Sequence, residues 1–125
     1  MRVLCCGDRK WKDAELIRNA LTRIGMYPII IEGECEGADL LARDVAEQIG
    51  FEVIPFPANW ARYKLGAGPV RNQQMLDEGK PDLVLAFHDN LLGRSKGTKD
   101  MVLRAVIAGV PVRVIRHKRK RRAAS

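Results

Sequence analysis

Two lysines flank a glycine and a threonine at the start of an amphipathic stretch, and this combination of residues can bind phosphate. Gly97 and Thr98 lie between Lys96 and Lys99, just before the apolar pattern of DMVLRA. Exposed N–H groups at a helix start, the helix dipole and nearby ammonium groups together attract anions. The alternative is an ordinary threonine N-cap that follows a loop and binds nothing. The positions of the other polar residues decide between these interpretations.

A second candidate for anion binding is Arg71, which is expected just inside a helix after Gly68 and Pro69. Its guanidinium can fork onto a phosphate or a carboxylate of a ligand. A structural pair with Asp39 is the alternative. Asp39 lies in the first turn of another expected helix, where it stabilises the helix dipole, and a contact to a ribose hydroxyl is its alternative role.

Aromatic side chains in the loops are candidates for stacking on a planar base. Trp11 and Trp60 are the two candidates, with Tyr63 close to Trp60, and the alternative is that these rings cover the core. His88 can titrate near neutrality at a strand end, but the sequence places no partner beside it. The chain contains no Ser/His/Asp, Cys/His or metal-ligand spacing, and neither GxGxxG nor GxxxxGK[ST]. We therefore expect no metal site.

Alternating apolar patterns predict the elements that position these residues. Five short apolar runs predict strands, over residues 2–6, 27–32, 51–56, 82–87 and 110–115. Four stretches with helical spacing, each followed by glycine, predict helices over residues 13–24, 38–49, 69–78 and 98–108. This order predicts an α/β domain with a mostly parallel five-stranded sheet and helices on both faces.

In such a fold every strand-to-helix loop lies at the carboxyl edge of the sheet, where open α/β sheets bind ligands. The four loops are residues 7–12, 33–39, 57–72 and 88–98. They contain the glycines that would allow close approach of a ligand, namely Gly7, Gly33, Gly37, Gly66, Gly68, Gly93 and Gly97. They also contain Arg9, Lys10, Trp11, Asp39, Asn59, Trp60, Arg71, Asn72, His88 and Lys96. This concentration favours a phosphate site over a simple N-cap at Gly97 and Thr98.

The composition predicts one domain over residues 1–115 and a basic, disordered tail over residues 116–125. The chain has 125 residues, 46% of them hydrophobic, which suits a single core. No apolar run approaches the ~20 residues that cross a bilayer, and the first residues lack the apolar region of a signal peptide. We therefore expect a cytoplasmic protein without a membrane partner.

The net charge of +7 is concentrated in the tail. Residues 116–122 contain six of the 22 Lys and Arg residues, so the remaining 16 face 15 acidic residues and the body carries only +1. A run of like charges at a terminus is usually solvated, and it can contact the phosphates of nucleic acids without sequence preference. Residues 116–122 therefore predict nonspecific binding of nucleic acid.

Three cysteines, Cys5, Cys6 and Cys35, occur without CxxC spacing. An odd number in this arrangement argues against a disulfide framework and against a zinc site. Cys5 and Cys6 are adjacent in an expected strand, so their side chains should point to opposite faces of the sheet. We expect them to pack as small apolar residues.

Five sequence blocks occur in an order and spacing that resemble one protein family. The blocks are CGDRKW, EGECEGADLLA, FPANWARYKLGAGPVRNQQML, PDLVLAF and SKGTKDM. Over residues 2–115 they resemble the YspA, or cpYpsA-related, branch of the SLOG superfamily, which is named after Smf/DprA and the LOG proteins. The resemblance implies a Rossmann-like fold and a phage or bacterial protein. It also implies a nucleotide or nucleotide-derived ligand such as AMP or ADP-ribose, and a homodimer by analogy with relatives.

The same resemblance implies which residues contact the ligand. Three blocks of the family match Gly33, Gly37, Ala38 and Asp39, then Gly68, Pro69, Arg71 and Asn72, and finally Gly97 with Thr98. With the loop residues Gly7, Arg9 and Lys96, these positions form the expected phosphate- and ligand-binding set. The leading hypothesis places the phosphate between the starts of the second and fourth predicted helices.

Some relatives hydrolyse the N-glycosidic bond of nucleoside monophosphates, and this is the first alternative to simple binding. Arg71 followed by Met75 resembles the pattern of those enzymes, whereas the position of their glutamate is Met101 here, with Asp100 one residue earlier. The candidate catalytic residues are therefore Arg71, Asp39 and Asp100. The second alternative is a nucleic-acid-binding module, because VRN resembles an arginine-asparagine motif of DprA.

Overall fold

Short apolar runs and amphipathic stretches alternate along the chain, and they form the strands and helices of an α/β domain. The computed structural model describes residues 1–93 and 95–118. The strands are β1 (Arg2–Gly7), β2 (Ile29–Glu32), β3 (Val53–Pro55), β4 (Leu83–Phe87) and β5 (Val112–Ile115). The helices are α1 (Ala14–Thr22), α2 (Ala38–Ile49), α3 (Trp60–Tyr63), α4 (Ala67–Asp77) and α5 (Lys96–Ile107), with a 3-10 turn at Lys64–Gly66.

All five strands pair in parallel, in the order β3-β2-β1-β4-β5. The chain moves outward from β1 to β3 and then returns to place β4 beside β1, so the strand order reverses between these two strands. The loops after β1 and β4 therefore begin side by side at the carboxyl edge of the sheet. The predicted α/β, Rossmann-like fold with one five-stranded sheet is confirmed.

Alternate residues of β1 belong to two separate cores. Val3 and Cys5 pack with α1 and α2, whereas Leu4 and Cys6 pack with α4 and α5. The prediction that the two adjacent cysteines point to opposite faces is therefore confirmed. Burial raises the pKa of both thiols, so these side chains stay protonated and pack as apolar groups.

The start of α5 differs from the sequence prediction, which allowed Thr98 to be its N-cap. The N-cap position is Ser95, and Thr98 is a buried residue in the first turn of the helix. The hydroxyl of Ser95 donates to the carbonyl of Leu91 at 2.7 Å and does not accept from the helix. Within the described residues, no side chain caps the first N–H groups of α5.

The long loop predicted over residues 57–72 is mostly helical. It contains α3, whose N-cap Asn59 accepts a hydrogen bond from the backbone N–H of Arg62 at 3.1 Å. The 3-10 turn follows, and α4 begins at Ala67, two residues earlier than predicted. Pro69 lies in the first turn of α4, where a missing N–H group breaks no helical hydrogen bond.

The sequence also led to predictions about membrane-spanning segments and about the basic tail. No helix within residues 1–93 and 95–118 is long and apolar enough to cross a membrane. The tail predicted over residues 116–125 is described only as far as Lys118, and the rest lies outside the described residues. Its disorder, and the domain boundary at residue 115, stay predictions.

Candidate functional site

A cavity of about 460 Å³ opens at the carboxyl edge of the sheet, beside the end of β2. It is lined by Arg9, Gly33, Glu34, Cys35, Glu36, Pro57, Ala58, Trp60 and Arg71. Three strand-to-helix loops and the second turn of α4 thus meet at one place. The cavity brings together Arg9, Gly33, Trp60 and Arg71 of the residues singled out from the sequence.

Arg71 is a buried cation in the wall of this cavity, with 7% of its surface exposed. Its Nη1 donates to the carbonyl of Gly33 at 2.6 Å, and its Nε donates to Oδ1 of Asn72 at 3.1 Å. Its Nη2 lies 3.4 Å from the sulfur of Cys35. A guanidinium has five N–H groups, so these contacts with described residues leave one N–H on each Nη atom. A fixed guanidinium fork of this kind suits an anionic oxygen pair.

Gly33 leaves the space that the guanidinium occupies. A Cβ atom at this position would lie 2.7 Å from Nη1 and 2.9 Å from Cζ of Arg71. Such distances are shorter than van der Waals contact, so any other residue at position 33 would displace the guanidinium. The glycine therefore has a steric role here, beyond any freedom that it gives to the loop.

We expect Gly33→Ala to lower the free energy of unfolding by about 1–3 kcal/mol, because overpacking displaces Arg71 from the Gly33 carbonyl. Gly68→Ala is the matched control, since its Cβ would approach Arg71 no closer than 4.0 Å and it lies in α4. The control should be neutral or slightly stabilising, because alanine favours a helix more than glycine does. Urea denaturation of both variants measures the difference, and equal stability of the two would contradict this role of Gly33.

Two buried carboxyl groups hold the loop that forms one side of the cavity. Oδ2 of Asp39 accepts from the backbone N–H groups of Gly33 at 3.0 Å and Cys35 at 3.3 Å. A carboxylate oxygen of Glu32 accepts from the N–H of Glu34, which lies between them. The three successive N–H groups of residues 33–35 are therefore all bound by the carboxyl groups of Glu32 and Asp39. This arrangement fixes the backbone that lines the cavity.

Burial raises the pKa of Glu32 to about 7 and that of Asp39 to about 6. The Oε1 atom of Glu32 is buried without a hydrogen-bond partner among the described residues. The nearby guanidinium of Arg71 opposes the increase at Asp39. Both groups can therefore change charge near neutral pH. Glu32 was not among the site residues predicted from the sequence, although a carboxylate directly after the three isoleucines at positions 29–31 was a visible signal.

Asn72 joins α4 to the start of α5. Its Nδ2 donates to Oδ2 of Asp100 at 2.9 Å and lies 3.3 Å from the carbonyl of Gly97. The same Asp100 oxygen accepts from Nε of Arg104 at 2.8 Å. Asn72 and Asp100, two of the predicted site residues, are thus engaged in a contact between helices. Lys96, Gly97 and Thr98 lie at the start of α5 and are not among the described residues that line the cavity.

The predicted residues Gly7, Gly37 and Ala38 bring the loop after β1 against the start of α2. Gly37 has φ of 81°, and a Cβ there would overlap the carbonyl oxygens of Asp8 and Arg9. The N–H of Ala38 donates to the carbonyl of Asp8 at 3.1 Å. A Cβ at Gly7 would overlap the carbonyl of Phe87 in β4. These three residues therefore allow close backbone packing beside the cavity.

The two tryptophans have different environments. Trp60 is 51% exposed and lies on the wall of the cavity. Trp11 is only 5% exposed, packs against Phe87, and carries the ring of His117 stacked on it. The buried His88 accepts from the N–H of Asn90 through Nδ1 at 2.9 Å. Trp60 is therefore the predicted aromatic residue that the cavity leaves available for stacking.

Three residues that line the cavity were not among the predicted site residues, namely Glu34, Cys35 and Glu36. They occupy the ECE segment between Gly33 and Gly37, within a loop that the fold prediction had already placed at this edge. The lining side chains thus include two carboxylates, a thiol and the guanidinium groups of Arg9 and Arg71. Such a mixture can bind a ligand that carries both anionic groups and N–H or O–H donors.

A family model described as YspA, cpYpsA-related SLOG family matches residues 1–63. The chain is also similar to the Gene 61 protein of Mycobacterium phage D29, with 38% identity over 120 residues that cover 89% of this chain and 93% of that protein. The chain therefore belongs to the YspA, cpYpsA-related SLOG family.

Proposed function

We propose that this protein binds a nucleotide or nucleotide-derived ligand in the cavity lined by Arg71, with the phosphate on the guanidinium groups of Arg71 and Arg9. The observation that carries the proposal is the buried guanidinium of Arg71, held by Gly33, Cys35 and Asn72 with one further N–H on each Nη atom. A donor pair that is already oriented and largely desolvated binds a phosphate more strongly than a mobile surface arginine does. Membership of the SLOG family supports a nucleotide-related ligand.

The base of this ligand is proposed to stack on Trp60. Its half-exposed ring lies on the same cavity wall as Pro57 and Ala58. Stacking on an aromatic ring is compatible with any base, so it gives affinity without selecting one. AMP and ADP-ribose are the ligands to test first, because both join a base to phosphate.

Calorimetric titration of the full chain with AMP and with ADP-ribose, at about physiological salt, tests the proposal. We expect Trp60→Ala to weaken AMP binding about tenfold, in line with ~1–3 kcal/mol for stacking of one base, and to leave inorganic phosphate binding unchanged. Tyr63→Ala is the matched control, because Tyr63 is a partly exposed aromatic residue of the same short helix outside the cavity lining. Equal losses in both variants, or no heat from either nucleotide, would contradict the proposal.

N-glycosidic hydrolysis is the second candidate, and the carboxylates of Glu34 and Glu36 on the cavity wall favour it. Asp39 and Asp100 hold backbone and side-chain groups of the protein itself, and Arg71 would orient the phosphate. Chromatographic detection of adenine released from AMP distinguishes hydrolysis from binding. Loss of that release in Glu34→Gln or Glu36→Gln, with AMP binding retained, identifies the acid.

The remaining expectations from sequence stand as parts of this proposal. Phosphate contacts at Gly97 and Thr98 would serve a group that extends to the start of α5. Nonspecific nucleic-acid binding by residues 116–122 should fall steeply as salt increases, and shortening of the tail should remove it. We also propose that the protein is cytoplasmic and that it forms a homodimer.

A further inference from the structure

The ring of His117 forms one wall of a second cleft at the carboxyl edge, between the loops that follow β1 and β4. This cleft has a volume of about 530 Å³ and is lined by Asp8, Lys10, Trp11, Lys12, Asp13, Asp89 and His117. The imidazole stacks on Trp11 with ring centroids 4.8 Å apart and planes inclined by 22°. The strand order reverses between β1 and β4, which is where open α/β sheets bind ligands. A side chain of the protein itself therefore covers the face of Trp11 at the place where a ligand is expected.

Two carboxylates hold this imidazole by its edges. The backbone N–H of His117 donates to Oδ1 of Asp89 at 2.8 Å, and the ring Nδ1 lies 2.9 Å from Oδ2 of the same residue. On the opposite edge, Nε2 lies 2.8 Å from Oδ2 of Asp13. Asp89 thus accepts from two neighbouring N–H groups of His117, one on each carboxylate oxygen, at the edge of the ring that stacks on Trp11.

This geometry specifies the chemistry of a ligand that would replace the histidine. Such a ligand needs a planar heteroaromatic ring for Trp11 and two adjacent N–H donors for Asp89. Guanine has this pair, at N1 and at its exocyclic amine. Adenine and cytosine present their amine beside an unprotonated ring nitrogen, which a carboxylate repels.

We propose that the cleft formed by Trp11, Asp13 and Asp89 is a binding site for a guanine-type base, and that His117 is its internal competitor. The cleft is separate from the cavity lined by Arg71, and the proposal does not rest on the ligand proposed for that cavity. A base would gain the stacking on Trp11 and the two hydrogen bonds to Asp89 that His117 makes, and His117 would leave the cleft.

The competitor should bind more weakly as the pH rises. Hydrogen bonds to Asp89 and Asp13 raise the pKa of His117, and the same contacts lower the pKa of both aspartates. The protonated ring of His117 stabilises its own contacts to the two aspartates. This stabilisation is complete below the usual histidine pKa and is lost as the pH rises through the raised pKa of His117. The other charged or titratable groups that face the cleft are Asp8, Lys10, Lys12 and His88. Guanine binding to the unmodified site should therefore strengthen from pH 6 to pH 8.5.

Fluorescence of Trp11 tests the proposal in the full chain. Trp60→Phe leaves Trp11 as the only tryptophan, because the chain has two. On this background, His117→Ala should bind guanosine at least about tenfold more tightly than the parent, since a site blocked by a competitor loses affinity in proportion to its blocked fraction. Inosine, which lacks the exocyclic amine, should bind more weakly than guanosine. Asp89→Asn should remove guanosine binding, and Lys118→Ala, the matched control beside His117, should match the parent.

Three results would overturn the proposal. The first is an unchanged Trp11 emission when guanosine is added to the His117→Ala chain. The second is equal guanosine affinity with and without His117. The third is a response of the His117→Ala chain to imidazole but not to guanosine, which would show that the cleft accepts only its own histidine. Circular dichroism of each variant confirms that the comparison is made between folded proteins.

Discussion

Arg71→Ala is expected to weaken AMP binding at least about a hundredfold. Hydrogen bonds to a charged group contribute ~1.5–3 kcal/mol each, and the fork of Arg71 has one further N–H on each Nη atom for the phosphate. The loss of two such bonds corresponds to at least about two orders of magnitude in the dissociation constant. Arg71→Lys keeps the charge but lacks the planar fork, so an intermediate affinity is expected. Calorimetric titration of AMP at about physiological salt measures all three proteins.

Loss of stability must be separated from loss of binding in this variant. Arg71→Ala also removes the donors to the carbonyl of Gly33 and to Oδ1 of Asn72. Asn72→Ala is the matched control, because it removes one contact to Arg71 and the contacts to Asp100 and Gly97. The contacts of Nη1 to Gly33 and of Nη2 to Cys35 still keep the guanidinium in the cavity. We expect both variants to unfold at lower urea concentrations, but only Arg71→Ala to lose AMP. A folded Arg71→Ala chain that binds AMP with unchanged affinity would rule out the phosphate site.

The fold was predictable because its signals are local. The helical spacing of Ile17 and Leu21 in α1, and the apolar run of β4, each identify an element without knowledge of the rest of the chain. The strand ends were less predictable because pairing sets them. The apolar run that contains β2 begins at Tyr27, but the strand begins at Ile29, which is the partner of Arg2 in β1. Tyr27 is left exposed before that register begins.

The candidate site was predictable as a place and less so as a set of contacts. Topology alone puts the loops that contain Arg9, Gly33 and Trp60 at one edge of the sheet. Contacts between distant residues carry no signal in a single sequence, and Arg71 contacts Gly33 and Cys35, which lie 38 and 36 positions earlier. The same holds for His117, which was assigned to a solvated tail but contacts Asp13 across 104 positions.

Glu32 illustrates the kind of residue that sequence patterns pass over. A carboxylate at the end of a strand is usually assumed to reach solvent, because burial of an unpaired charge is costly. Here the side chain accepts from the backbone N–H of Glu34, and its relative exposure is 0%. Its second oxygen has no described partner, so the ionised form is poorly compensated. The consequence of this burial is measurable as a dependence of stability on pH.

The protein is expected to lose stability as the pH rises from 5 to 8, and Glu32→Gln should remove a large part of that loss. The pKa of Glu32 is about 7 in the folded protein, against an ordinary value of 4.5. Between these values the folded state binds more protons than the unfolded state, so the free energy of unfolding falls with rising pH and then levels off above pH 8. Asp39, with a folded pKa of about 6, acts in the same direction.

The difference between the wild type and Glu32→Gln isolates the contribution of this one carboxyl group. We expect the wild type and Glu32→Gln to have similar free energies of unfolding at pH 5, where Glu32 of the folded wild type is protonated. At pH 8 the variant should be more stable by roughly 2 kcal/mol, since each unit of pKa shift corresponds to ~1.4 kcal/mol before solvent screening. Urea denaturation at both pH values measures the two differences. Glu47→Gln, at an exposed position of α2, is the control that should change neither.

Parallel stability curves for the wild type and Glu32→Gln across this range would contradict the assignment of the titration to Glu32. The raised pKa of the neighbouring Asp39 should also make AMP binding depend on pH. A phosphate on Arg71 adds negative charge close to Asp39, so it should raise the pKa of that carboxyl further and be accompanied by proton uptake. AMP titrations at pH 7 in two buffers with different ionisation enthalpies should then give different heats for the wild type, because the buffer supplies the proton.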